Sequence, residues 1–125
     1  EVITIDSLKL PACDFIKADV EGMELPVLQG AVETLRKYRP ILYVENDQAE
    51  KSQALVEWIK QQGYDLYWHK PNMYNPNNYE GLKENIFTVK QKTEKGWIES
   101  YYVSQNMLCL PIEDGIVIEG FEKVQ

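Results

Sequence analysis

The sequence predicts an α/β domain. Two short apolar runs, Phe15–Val20 and Ile41–Asn46, each finish in acids or amides. Apolar residues at spacings of three and four follow each run, which is helical patterning. A third strand-like run, Tyr64-Asp65-Leu66-Tyr67-Trp68, comes after the second helical stretch. Strand, helix, strand, helix, strand is the order of a sheet built from parallel strands and right-handed crossovers.

Each element has a local cause. After the first run, Leu25, Leu28, Val32 and Leu35 form a narrow stripe from about residue 24. Pro26 fits only in a first turn, where no helical amide bond is lost. Asp19 or Glu21 suits the positive end of that helix, Lys37 and Arg39 the other end, and Pro40 stops it. Residues 50–62 place Ala54, Leu55, Trp58 and Ile59 on one face, and Gly63 sits where a left-handed cap closes a helix. The continuous apolar strands between helices imply coverage on both sheet faces. From His69 to Gly81 the chain is polar and rich in Asn and Pro, a loop of about 13 residues. A short strand is expected at Glu84–Val89, a charged mobile excursion from Lys90 to Glu99, and a last apolar strand at Asn106–Leu110, stopped by Pro111. A further short strand is expected at Ile116–Ile118.

Composition narrows the partners. The 125 residues carry a formal charge of −7, with basic residues scattered rather than striped. Nucleic-acid backbones and anionic membrane surfaces need clustered Lys and Arg, so neither is an expected partner. No apolar run approaches the ~20 residues of a membrane span. Cys13 and Cys109 lie in apolar stretches and read as buried free thiols in a reducing, cytoplasmic setting. Glu1-Val2-Ile3 reads as a start within a longer protein.

In parallel α/β sheets, ligands bind beyond the carboxyl ends of the strands. The two best strands end in Asp19-Val20-Glu21-Gly22 and Glu45-Asn46-Asp47. As neighbours, they would set four or five oxygen ligands at one crevice; taken singly, the same residues serve as helix caps. Gly22 permits a sharp turn or close approach of a ligand. Lys17 shares a face with Asp19. It is expected to pair with Asp19 or Glu21, to act as a proton acceptor with a lowered pKa, or to snorkel at the strand's end. His69, after the third strand, is a candidate general base or an exposed loop residue. Asn46, Tyr74 and Tyr79 are candidate acceptor contacts, and Trp68 reads as core.

Thr4-Ile5-Asp6-Ser7-Leu8, Asp14-Phe15-Ile16-Lys17-Ala18-Asp19-Val20-Glu21-Gly22-Met23-Glu24 and Val27-Leu28-Gln29-Gly30-Ala31 resemble the signature of FkbM-type methyltransferases. Weaker likeness continues through Arg39–Glu45, Glu84–Phe87 and Ser104–Cys109. The resemblance implies a class I, Rossmann-like methyltransferase sheet with helices on both faces and an antiparallel C-terminal strand. It implies S-adenosylmethionine at the carboxyl edge, bordered by Asp19, Glu21 and Gly22, and methyl transfer to an oxygen of a sugar- or polyketide-like acceptor. Lys17, His69 or an acid would take the proton. Residues 1–111 would be strands four to seven of such a domain and residues 112–125 a tail. The family's glycine-rich turn has no counterpart, since no Gly-x-Gly occurs in the chain. By itself the chain is therefore expected to show no catalysis. By analogy with catechol-type O-methyltransferases, Asp19, Glu45 and Asn46 resemble a Mg²⁺ ligand set in kind. A half-domain acting as an interaction module, and an unrelated metal-dependent hydrolase, are the alternatives.

Overall fold

A computed structural model describes residues 2–94 and 96–125. The chain forms two units: one runs to His69 and resumes at Gln105–Gln125, the other is Lys70–Ser104.

In the first unit, β1 (Phe15–Ala18) leads through α1 (Glu24–Gln29) and α2 (Val32–Tyr38) to β2 (Ile41–Glu45). Then α3 (Ala49–Gln61) leads to β3 (Tyr64–His69). The single helix expected after β1 is broken in two. It ends at Gly30, whose amide bonds back to Pro26 and Val27, and resumes after Ala31. Asp6 restarts it from a distance: its carboxylate accepts from the Glu33 and Thr34 amides at 2.9 and 2.8 Å and from the Thr34 hydroxyl. Arg39 closes α2 in the left-handed conformation (φ 50°), and its guanidinium donates to the Gln62 and Gly63 carbonyls beyond α3. Gly63 itself has φ 80°, as the cap reading requires.

In the second unit, β4 (Thr88–Thr93) pairs antiparallel with β5 (Gly96–Tyr101). The excursion expected from Lys90 to Glu99 is therefore a pair of strands, and the strand expected at Glu84–Val89 begins only at Thr88. Alternating Val, Lys and Thr satisfy the period of a two-stranded ribbon, which needs no apolar run.

The last strand, β6 (Asn106–Pro111), belongs to the first unit. The sheet order is β1-β2-β6-β3. β1 and β2 are parallel neighbours, with Ala18 opposite Val44, and β6 runs antiparallel to both β2 and β3. The α/β class and the antiparallel last strand are as expected. Coverage on both faces is not. β1, β2 and β3 share one direction, and both crossovers advance the same way across the sheet. Right-handed crossovers then put their helices on one face. There Ile16, Ala18, Leu42, Val44, Leu66, Met107 and Cys109 join Leu28, Leu35, Leu55 and Ile59 in one core. The alternate face carries Phe15, Lys17, Tyr43, Glu45 and His69. The expected strand at Ile116–Ile118 is also absent. Instead Trp68 donates to Glu122 and Val124 to Leu66, which lays residues 122–124 beside β3. Among the described residues, no helix is long and apolar enough to cross a membrane.

Candidate active site

Because β1 and β2 are adjacent and parallel, their carboxyl ends open at the same edge of the sheet. Extending the Ala18–Val44 pairing by one residue sets Asp19 beside Glu45. The alternation of side chains places Lys17, Asp19, Tyr43 and Glu45 on the face away from the helices. Lys17 Nζ meets Asp19 Oδ2 at 2.5 Å in a solvent-accessible pair. The Asp19 carboxylate in turn accepts from the protonated Glu45 carboxyl.

Two carboxyls this close cannot both be comfortable as anions. Burial, then the charges of Asp19 and Asp47, the hydrogen bond to Asp19 and the charge of Glu21 push Glu45 up to about 7. The hydrogen bond from Lys17 and its charge hold Asp19 below the usual carboxylate range. The proton between the two carboxyls therefore resides on Glu45. Lys17 is raised by its hydrogen bond to Asp19, so it stays an ammonium. The expectation of a lysine with lowered pKa is corrected here: Lys17 lies on an exposed strand face, and a carboxylate neighbour favours its charge.

The turn after β1 is held by a residue the sequence reading passed over. Glu24 is buried, and its Oε1 accepts from the amides of Val20 (3.0 Å) and Gly22 (3.1 Å). Glu21 (φ 52°) and Gly22 (φ 87°) both take the left-handed conformation, so the chain does turn sharply here. The close approach that Gly22 permits is taken up by the first turn of α3. A Cβ there would run into Gln48 and Lys51, and Lys51 Nζ donates to the Gly22 carbonyl at 3.0 Å. Neither Asp19 nor Glu21 caps α1, whose N-cap Met23 makes no side-chain cap bond, and Gln48 at α3 makes none either. Glu24→Ala should cost about 1–3 kcal/mol by leaving the two turn amides without their acceptor. Glu24→Gln, which keeps an oxygen, should cost less. Urea denaturation curves of both that overlay the unmutated protein would remove Glu24 from this role.

His69 ends β3, and its Nδ1 lies 2.8 Å from the Tyr43 hydroxyl. It pairs in register with Asn106, which pairs in turn with Glu45. Two strand spacings, about 10 Å, therefore separate His69 from Glu45. Tyr43 is the second residue missed in sequence. Its signal was the alternation that puts it on the same face as Glu45.

Asn46 goes elsewhere. It is buried, and its Nδ2 donates to the Met107 sulfur at 3.3 Å on the helix side of the sheet. Its place as an acceptor contact or as a third metal ligand is corrected accordingly, since one residue along a strand reverses the face. Among the described residues, no group of three His, Cys, Asp or Glu side chains is arranged to hold a metal ion. With the Lys17 ammonium on Asp19 and Asn46 turned away, these residues do not fit Mg²⁺. Tyr74 and Tyr79 belong to the second unit. There the Tyr74 hydroxyl donates to the Leu82 carbonyl at 2.8 Å, Tyr79 is fully exposed, and both border a groove of about 250 Å³ with Met73 and Phe87.

The model of the family described as "Methyltransferase FkbM domain" matches residues 1–66. That is more than half of the 125-residue chain. The chain belongs to the FkbM methyltransferase family. Neither a curated protein nor a solved structure matches it. The matched part of this FkbM chain contains both acid-tipped strands, the Glu24-braced turn and Tyr43, while His69, Tyr74 and Tyr79 lie beyond it. Membership carries, in general terms, methyl transfer from S-adenosylmethionine to a small-molecule acceptor.

Proposed function

We propose that this chain is part of an S-adenosylmethionine-dependent O-methyltransferase in which the Asp19–Glu45 pair receives the proton of the acceptor hydroxyl. The observation that carries this reading is the carboxyl pair itself, with Glu45 pushed up to about 7 at the ligand end of two adjacent parallel strands. A general base works best with a pKa near the working pH, and burial beside like charges is how a carboxyl reaches it.

The donor fits the same cluster. S-adenosylmethionine supplies a methyl group made electrophilic by a sulfonium. Asp19, Glu21, Glu45 and Asp47 repel one another enough to perturb Glu45, and such a site favours a cation. Asp19, Glu21 and the turn at Gly22 are the residues of this chain assigned to the donor. With the donor bound, the methyl–sulfur bond would break as the acceptor oxygen takes the methyl, the neutral thioether would leave, and the acceptor's proton would pass to ionised Glu45. Once Glu45 holds the proton, the Asp19 carboxylate, fixed by Lys17, accepts its hydrogen bond.

The sheet supports an assignment of β1, β2, β3 and β6 to strands four, five, six and seven of a class I methyltransferase sheet. Residues 1–111 are then its C-terminal half and residues 112–125 a tail tied to β3. Among the described residues β1 pairs with β2 alone, and Phe15 is half exposed. Further strands bearing the glycine-rich turn are assigned to that edge, which as it stands is a pairing surface. The same edge favours the second reading, a half-domain that works by pairing. For the acceptor, a sugar- or polyketide-like ring is the proposed class. Tyr74 and Tyr79 offer flat rings for one within the second unit. The free cysteines agree with a cytoplasmic setting.

Calorimetry with S-adenosylmethionine tests the reading. The full-length protein should bind it and, near pH 7, release a proton, because a cation beside Glu45 favours the ionised carboxyl. The 125-residue chain alone should bind weakly or not at all. Binding to the full-length protein without proton release would remove Glu45 from the site, and no binding would favour the pairing module.

A further inference from the structure

His69 is an ionisable side chain on the open sheet face that the acid pair does not explain, and its surroundings are specific. Its ring is gripped from two sides. The Tyr43 hydroxyl lies 2.8 Å from Nδ1, with the ring centroids 5.8 Å apart and tilted by 58°. The Phe121 ring lies 5.6 Å away. Two contacts from separate elements, β2 and the C-terminal segment, fix the ring plane as well as one nitrogen.

The direction of the Tyr43–His69 hydrogen bond follows from the neighbours. Tyr43 faces Lys17 across the strand pair and lies two residues before Glu45, with Asp19 beyond. Burial raises the pKa of its phenol, the Lys17 charge opposes this, and the Asp19 charge adds to it. Tyr43 therefore keeps its proton, and an imidazole lone pair is a better acceptor than a phenol oxygen. The hydroxyl donates to Nδ1, so the proton of the neutral ring sits on Nε2, on the far side from Tyr43.

We infer that Tyr43 is a positioning residue that locks His69 in the Nε2–H form, making His69 a fixed hydrogen-bond donor to an acceptor oxygen rather than the base. This deepens the function proposed above and rests on it for the identity of the ligand. The spacing allows it. His69 and Glu45 stand two strand spacings apart, about 10 Å of backbone, the same interval that the Tyr43 and His69 side chains close to 2.8 Å, so both side chains can face one acceptor.

Nitrogen NMR tests the lock without any turnover, so a failure of the methyltransferase reading leaves its result legible. His69 is the sole histidine of these 125 residues, and in the full-length protein the signals lost in His69→Gln are its own. In uniformly ¹⁵N-labelled protein at pH 8.5, long-range ¹H–¹⁵N spectra should show a protonated Nε2 and an Nδ1 shifted by an accepted hydrogen bond. In Tyr43→Phe, Nδ1 should move toward the position of a free imidazole nitrogen, and the single form should give way to a mixture of both tautomers. A protonated Nδ1 in the unmutated protein overturns the inference, as does a Tyr43→Phe spectrum identical to it. If Tyr43→Phe does not fold, the coupling across the hydrogen bond between the Tyr43 hydroxyl proton and Nδ1 decides. Its presence supports the lock, and its absence overturns it.

Discussion

Glu45→Gln should lower methyl transfer by the full-length protein by about 10²–10⁴-fold, the usual worth of a positioned general base, without loss of stability at pH 8. The two halves of this expectation have one cause. In the folded chain Glu45 titrates at about 7 rather than at 4.5, because burial and the charges of Asp19 and Asp47 disfavour its anion. Below pH 4.5 the carboxyl is protonated whether folded or unfolded. Between 4.5 and 7 the folded state binds the extra proton, so folding stability falls as pH rises through that window. Above 7 the anion is held in an unfavourable place, and a neutral amide of the same shape relieves it. The rate runs the other way. A base must be ionised to accept, so the rate of the unmutated enzyme should climb with pH and level off above about 7. Glu45→Gln should lose that limb together with the activity. Rates from pH 5.5 to 8.5 and melting curves at pH 8 measure both. A variant that keeps its rate, or loses rate only because it melts, would leave the carboxyl pair without a catalytic part.

Leu42→Ala should cost about 2–5 kcal/mol, the range for emptying a fully buried leucine site. Leu42 has no exposed surface and stands between Ile16 on β1 and Cys109 on β6, under the helices. Most of the core around it belongs to the sheet or to α1–α3, so collapse is limited. Domain stabilities run to about 5–15 kcal/mol, so this one change should remove much of the total. Phe15→Ala is the contrast. Phe15 is larger but half exposed on the other face, so its loss should cost under about 1 kcal/mol. Urea midpoints of the two variants compare the faces directly. Equal losses would mean that the open face is as well packed as the helix face.

Local signals made several elements readable. Pro26 and Pro40 bracket the first helical stretch, Gly63 closes α3, and the apolar runs of β1, β2, β3 and β6 are continuous enough to announce strands. The break at Gly30 was not readable, because it is set by Asp6, 27 residues upstream of Glu33, through a carboxylate that starts α2. The β4–β5 pair hid in a charged stretch, since a two-stranded ribbon shows no buried face. Coverage of one sheet face rather than two depended on strand order, which period and propensity do not encode.

At the site, the sequence by itself determined which residues stand at the strand ends: Asp19, Glu21 and Gly22 after β1, Glu45 to Asp47 after β2, and His69 after β3. It also determined the family, because the matched signature is local and contiguous. Only the tertiary structure decided that Asp19 and Glu45 pair with the proton on Glu45, that Lys17 stays charged, that Asn46 turns to Met107, and that Tyr43 holds His69. The reason is electrostatic and geometric. A pKa depends on burial and on charges brought near from other strands, and a side chain's face depends on register, so both are settled when the strands pair.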